Sequence, residues 1–239
     1  FVMELVRGIK ITEYCDQHQL PTRERLDLFI KVCQAIQHAH QKGIIHRDIK
    51  PSNVLVSTHD GKPHAKVIDF GIAKAMAVRP AGETFFTVDG AMIGTPEYMR
   101  PEQAEGSLDI DTRTDVYALG VVCYQLLTGR LPFDPSGRTA EELAALATQG
   151  APPPSSHPPP RTRRVLAQDL DVLCATAMHP DPSRRYRDMG ALIEDIDHLL
   201  AGEPLRARRD SLGYRAGKFV RRNARAVVRD GQADERGGV

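Results

Sequence analysis

Apolar positions along the chain change period several times, and each change marks an element. The run "FVMELV" at residues 1–6 is continuous, of strand length and followed by Gly8. Such a strand needs neighbours that the chain mostly does not supply, so half a small sheet is expected outside this sequence, which then reads as a fragment. From Thr22 to Gly43, Leu26, Phe29, Val32, Cys33, Ile36 and His40 recur at helical spacing. They predict an amphipathic helix capped by Thr22 and stopped by Gly43. "VLVS" from Val54 and "AKVIDF" from Ala65, separated by the turn-rich "THDGKPH", predict a hairpin.

Residues 71–101 lack periodicity and carry several Gly, Thr and Pro residues. A loop of that length inside a folded domain points to function. Thr114–Gly129, "TDVYALGVVCYQLLTG", is apolar on nearly every side, which predicts a buried central helix, too short and too polar at its ends to span a bilayer. Thr139 and Glu142 have capping-box spacing ahead of "AEELAALATQG". Further helices fit Ala167–Met178 and Asp188–Leu200, the latter stopped by Gly202. "APPPSSHPPP" at 151–160 reads as a stiff extended connector between helices. The fold class is therefore α+β and mainly helical.

Charge changes this picture locally. The 239 residues carry a formal net charge of +1, which argues against nucleic acid or another acidic polymer as a partner. Past Gly202 basic residues gather, Arg206, Arg208, Arg209, Lys218, Arg221 and Arg222 among them, so 203–239 is expected to be a basic, flexible tail. Cys15, Cys33, Cys123 and Cys174 are scattered without a C-x-x-C pair, which fits reduced, buried thiols and a cytoplasmic setting.

The densest chemistry lies in "HRDIKPSN", His46 to Asn53, immediately after Ile44 and Ile45. Asp48, Lys50 and Asn53 sit on a short loop between a helix and a strand, where their side chains can converge. Phosphoryl transfer needs such a set: an acceptor that orients a hydroxyl, a cation for the moving phosphate and an oxygen ligand for Mg²⁺. Sixteen residues beyond Asn53 stands "DFG", Asp69 to Gly71, a second carboxylate closing a strand.

In this order and spacing the motifs resemble those of the eukaryotic-like (Hanks-type) serine/threonine protein kinases of bacteria, over about residues 1–200. The resemblance implies a protein-kinase-like fold: the hinge at 1–8, the large C-terminal lobe at 9–202, with a catalytic loop at 46–53 and an activation segment at 69–102. It implies that Asp48 is the catalytic base, that Lys50 contacts the γ-phosphate of ATP, and that Asn53 and Asp69 hold Mg²⁺. Phe70 of the Asp69-Phe70-Gly71 motif packs near His46, itself a structural histidine. Arg100-Pro101-Glu102 stands where the family usually has Ala-Pro-Glu, and Glu102 is expected to pair with Arg185. Asp115 resembles the central-helix aspartate that orders the catalytic loop.

By the same resemblance "MELVRG" is the hinge, where adenine bonds to the backbone of Glu4 and Val6, Met3 limits the back pocket and Leu55 lies under the ring. Lys50 together with Thr95 in "GTPEY" resembles the serine/threonine rather than the tyrosine kinases. Arg47 is placed to receive a phosphate on the activation segment, with Thr84 and Thr87 as acceptors. Protein serines and threonines are then the substrates, and dimerisation is expected where one copy phosphorylates the segment of another. The basic tail resembles segments that lead into a membrane helix, which would put the catalytic part on the cytoplasmic side. The glycine-rich loop, the strand lysine and its glutamate partner do not occur, so this chain alone is expected to be inactive. The competing class is a non-catalytic, pseudokinase-like binding module.

Overall fold

The computed structural model describes residues 5–70, 98, 101, 111–156, 164–208, 214 and 216–218, with the side chains of 164–166 left aside. Strand β1 (Ile9–Lys10) leads directly into α1 (Ile11–Gln17) and, after a turn, α2 (Thr22–Gln41). The hairpin β2 (Val54–His59) and β3 (Lys62–Val67) follows. The rest of the described chain is helical: α3 (Arg113–Thr128), α4 (Ala140–Gln149), α5 (Arg164–Ala177) and α6 (Met189–Ala201). One antiparallel sheet in the order β1-β2-β3 lies at the edge of this helical mass, with Ile9 opposite Val56 and Val54 opposite Val67. The α+β, mainly helical class is what the periodicity predicts.

Several elements differ from their sequence reading in ways that have a local cause. Within "FVMELV", Leu5 and Val6 form no strand, and Leu5 is left 79% exposed; residues 1–4 lie outside the description. Pro21, not Thr22, caps α2: its extended backbone precedes the first turn, and no side chain bonds to the free amides. The helix stops where expected, since Gly43 takes φ +73° and its amide, with that of Ile44, returns to the carbonyls of His40 and Ala39. The hairpin is tighter than the seven-residue "THDGKPH" implied. Asp60 and Gly61, at φ +50° and +71°, make a two-residue turn, and both strands run into the polar stretch. Pro63 is tolerated there because β3 is the sheet edge.

The central helix is as buried as its composition demands: every residue from Thr114 to Tyr124 is inaccessible to solvent. α2 and α5 pack against it and α6 closes on both of these, in one core cluster that includes Phe29, Ile36, Leu173, Cys174, Leu192 and Ile196. The capping box of α4 forms in both directions, with Thr139 N–H donating to Glu142 Oε2 (2.8 Å) and Glu142 N–H to Thr139 Oγ1 (3.3 Å). In the proline-rich connector, Pro153 to Ser156 is not extended. It makes a single 3-10 turn that buries Pro154 and is fastened by the Ser155 amide on Asp171 (2.7 Å). The four cysteines are free and buried, and burial pushes the Cys15 thiol up to about 11 and raises that of Cys33 as well.

Gly120 sets how closely α3 and α5 approach. A Cβ there would stand 2.7 Å from Met178 Cγ and 2.9 Å from Ala177 Cβ, both in the buried core. Overpacking of that kind costs about 1–3 kcal/mol, more than the roughly 1 kcal/mol of helix propensity a larger residue returns. Gly120→Val is therefore expected to lower the unfolding free energy by up to about 2 kcal/mol, seen as a lower urea midpoint with an unchanged m value. An unshifted midpoint would show that the two helices are not in this contact.

Candidate active site

The loop from His46 to Asn53 is ordered by backbone amides that find one buried carboxylate. Asp115, on the first turn of α3, is completely inaccessible. Its Oδ2 accepts the His46 amide at 2.8 Å, and its Oδ1 accepts the Arg47 amide at 2.9 Å. Arg47 takes φ +67°, a left-handed turn that aims two consecutive N–H groups at the two oxygens. The ring Nε2 of His40, near the end of α2, lies 2.8 Å from Oδ2. One side chain thus joins two helices to the loop.

His46 links the two halves of the site. Its Nδ1 accepts the Asp48 amide at 3.3 Å, so Nε2 carries the proton and donates to the Ile68 carbonyl at 3.0 Å. Burial, opposed by the nearby Asp115, lowers its pKa from the usual histidine value. Phe70 packs on the ring at a centroid distance of 4.6 Å, as the resemblance implies. The Ile68 amide in turn donates to the Asn53 carbonyl at 2.9 Å, which fixes the start of the "DFG" stretch against the catalytic loop.

Within that frame the three polar side chains converge. Lys50 Nζ lies 3.1 Å from Asp48 Oδ2. Asn53 Nδ2 donates to the Asp48 carbonyl at 2.8 Å and stands 3.4 Å from Asp48 Oδ2. Pro51 to Asn53 forms one 3-10 turn, which brings Asn53 back over Asp48. Asp69 is exposed at φ +56°, a conformation that turns the chain out of the β3 direction. The oxygens of Asn53 and Asp69 are the donor type a hard divalent cation prefers, and a magnesium site asks for only one or two such protein ligands. Among the described residues no cluster of three or more His, Cys, Asp or Glu could hold a metal of another kind.

Val6 and Leu55 are both half-buried, and after Val6 the backbone comes close to β2 at Gly8. A Cβ on Gly8 would meet the Val56 carbonyl oxygen at 2.9 Å and Leu55 Cβ at 3.2 Å, so only glycine lets this segment lie on β2 so closely. Tyr98 and Pro101, the described residues of "GTPEYMRPE", are anchored to the lobe. Tyr98 donates to Gln125 Oε1 of α3 at 2.8 Å, and Pro101 is buried. Arg185 is buried under carbonyls of His179, Pro180 and Arg113, with its guanidinium 4.8 Å above the Tyr117 ring. Met3, Glu4, Gly71, Thr84, Thr87, Thr95 and Glu102 lie outside the described residues.

Sequence reasoning missed two members of this frame. His40 reads as one more core position of α2, although a histidine at a helical core position needs a polar partner. Gly8 reads as punctuation, not as a close approach.

A family model for the protein kinase domain matches residues 1–195. Serine/threonine-protein kinase PknB of Mycobacterium leprae is 34% identical over 204 residues, covering 85% of this chain and 30% of that protein. Serine/threonine-protein kinase Pkn1 of Myxococcus xanthus is 39% identical over 202 residues, covering 84% of this chain and 27% of that protein. The chain thus spans less than a third of the length of the curated relatives it matches. Among solved structures, a double mutant of the Mycobacterium tuberculosis PknI kinase domain superposes with a TM-score of 0.59 at 26% identity, covering 83% of this chain and 65% of that one. With the loop, the hairpin and the buried central aspartate in the arrangement those motifs require, the chain belongs to the protein kinase family.

Proposed function

We propose that the protein carrying this chain transfers the γ-phosphoryl group of ATP to serine and threonine hydroxyls of other proteins. The observation that carries the reading is the convergence of Asp48, Lys50 and Asn53 on one loop turn, with Lys50 Nζ 3.1 Å and Asn53 Nδ2 3.4 Å from the Asp48 carboxylate. It is supported by relatives named serine/threonine-protein kinases.

Asp48 accepts the hydroxyl proton as the new O–P bond forms, and its carboxylate is steadied for that by Asn53. Lys50 carries the positive charge that meets the oxygens of the moving phosphoryl group. Asn53 Oδ1 and the Asp69 carboxylate would hold magnesium, which when bound neutralises charge on the phosphates. Adenine rests on Leu55 and bonds to the hinge backbone at Glu4 and Val6. Arg47 receives a phosphate on Thr84 or Thr87, which orders the activation segment, and a second copy of the protein delivers it. Thr95 helps seat the substrate hydroxyl, and the Glu102–Arg185 pair anchors the end of the segment. A cytoplasmic placement, with membrane attachment through a segment beyond residue 239, completes the reading.

Asp48→Asn in the full-length protein keeps the shape of the side chain but removes the proton acceptor. It is expected to lower kcat for peptide phosphorylation by about 10²–10⁴-fold, measured as radiolabel transfer from ATP. Equal rates in the two proteins would remove Asp48 from the role of base.

The loop is also expected to weaken in acid. His46 accepts the Asp48 amide only while neutral, and its pKa is lowered by burial. The unfolded chain therefore takes up a proton first: the contribution is complete above the unfolded value of 6.5 and is lost as pH falls from there through the folded value. Thermal unfolding between pH 7.5 and 5.5 should show a steeper loss of stability in the native protein than in His46→Gln. Parallel curves would contradict the neutral, amide-accepting state of the ring.

A further inference from the structure

Two buried carboxylates take no part in the site described above, and both collect groups from the basic stretch after Gly202. Asp195, on α6 and fully buried, accepts the amides of Arg206 at 2.7 Å and Ala207 at 3.0 Å, along with the Tyr186 hydroxyl at 3.0 Å. Asp169, on α5 and equally buried, has Arg208 Nη1 and the Tyr214 hydroxyl each 3.0 Å from Oδ1, and Lys218 Nζ 2.5 Å from Oδ2. The Tyr214 hydroxyl also accepts the Leu205 amide at 3.1 Å, and the Arg208 guanidinium lies 3.9 Å above the Tyr214 ring. Leu205 itself is 3% exposed within the core cluster.

An aspartate buried on a helix is costly unless its partners are present, and among the described residues Asp169 is met by Arg208, Tyr214 and Lys218, all from beyond residue 202. Arg206 adds an exposed pair with Glu194 of α6 at 2.5 Å. These contacts make the stretch part of the lobe, against the expectation that a loose tail starts at 203. We propose that Leu205 to Arg208, with Tyr214 and Lys218, form a docked strap locked by Asp169, which fixes these residues on the lobe. Arg208 and Lys218 serve as counter-ions of the lobe's own carboxylate, not as a site for an external phosphate.

Amide hydrogen exchange on the full chain tests this. In the native protein the Leu205, Arg206 and Ala207 amides should exchange at least about a hundredfold more slowly than in an unstructured chain. Asp169→Asn should speed the Leu205 amide by about tenfold or more while amides of α3 keep their protection. Free-chain rates at Leu205–Ala207 in the native protein would overturn the proposal. So would an unchanged Leu205 rate in the variant, since Asp195 alone would then hold the segment. If Asp169→Asn does not fold, the pair Arg208→Gln with Lys218→Met is read in the same way, with the same two overturning results.

Discussion

Asp115 sits where no water can solvate it, and its carboxylate is satisfied by the amides of His46 and Arg47 and the ring of His40. Hydrogen bonds to a charged group contribute roughly 1.5–3 kcal/mol each, and losing the acceptor would leave buried amides unpaired at a similar cost. The catalytic loop has no regular backbone ladder of its own, so this carboxylate substitutes for one. From it the order passes outward: the turn at Arg47 sets His46, the His46 ring holds Asp48 on one side and Ile68 on the other, and Ile68 holds Asn53. Asp48 and Asn53 are thus placed by groups outside their own cluster.

The same device recurs where irregular chain meets helix. Asp169 and Asp195 are fully buried, and each is matched by donors from the stretch after α6, as Asp115 is by the catalytic loop. A buried carboxylate is weak support for stability but strict in what it accepts, because a wrongly docked segment leaves the charge unpaired. Three such carboxylates fix the course of segments that periodic apolar packing cannot specify. The Arg185 guanidinium, buried beneath three carbonyls, does the converse work with a cation.

Much of the fold is legible in the sequence, and the misses have physical reasons. α2, α3, α4 and α6 follow from periodicity, glycine stops and a capping box because those signals are local. α1 is seven residues long, too short for its Ile11, Tyr14 and Cys15 to declare a period. The cap of α2 falls at Pro21, since a proline preset to φ −67° can open a helix without a side-chain bond. The chemistry of "HRDIKPSN" is readable because its groups lie within eight residues. Its support is legible only in part: Asp115, 69 positions from His46, is found by resemblance to a family motif and not by any local pattern, and the His40 contact, across 75 positions, is not found at all. Likewise the composition of the stretch after Gly202 announces charge but cannot say that the partner is Asp169.

The most direct measurement is the exchange rate of the His46 and Arg47 amides in the full-length protein and in Asp115→Asn, with phosphotransfer assayed on the same samples. If the buried carboxylate organises the site, both amides exchange faster in the variant and phosphotransfer falls, while amides in the middle of α2 keep their protection. Unchanged exchange at His46 and Arg47 together with full activity would contradict that dependence and leave the catalytic loop to be ordered by something other than Asp115.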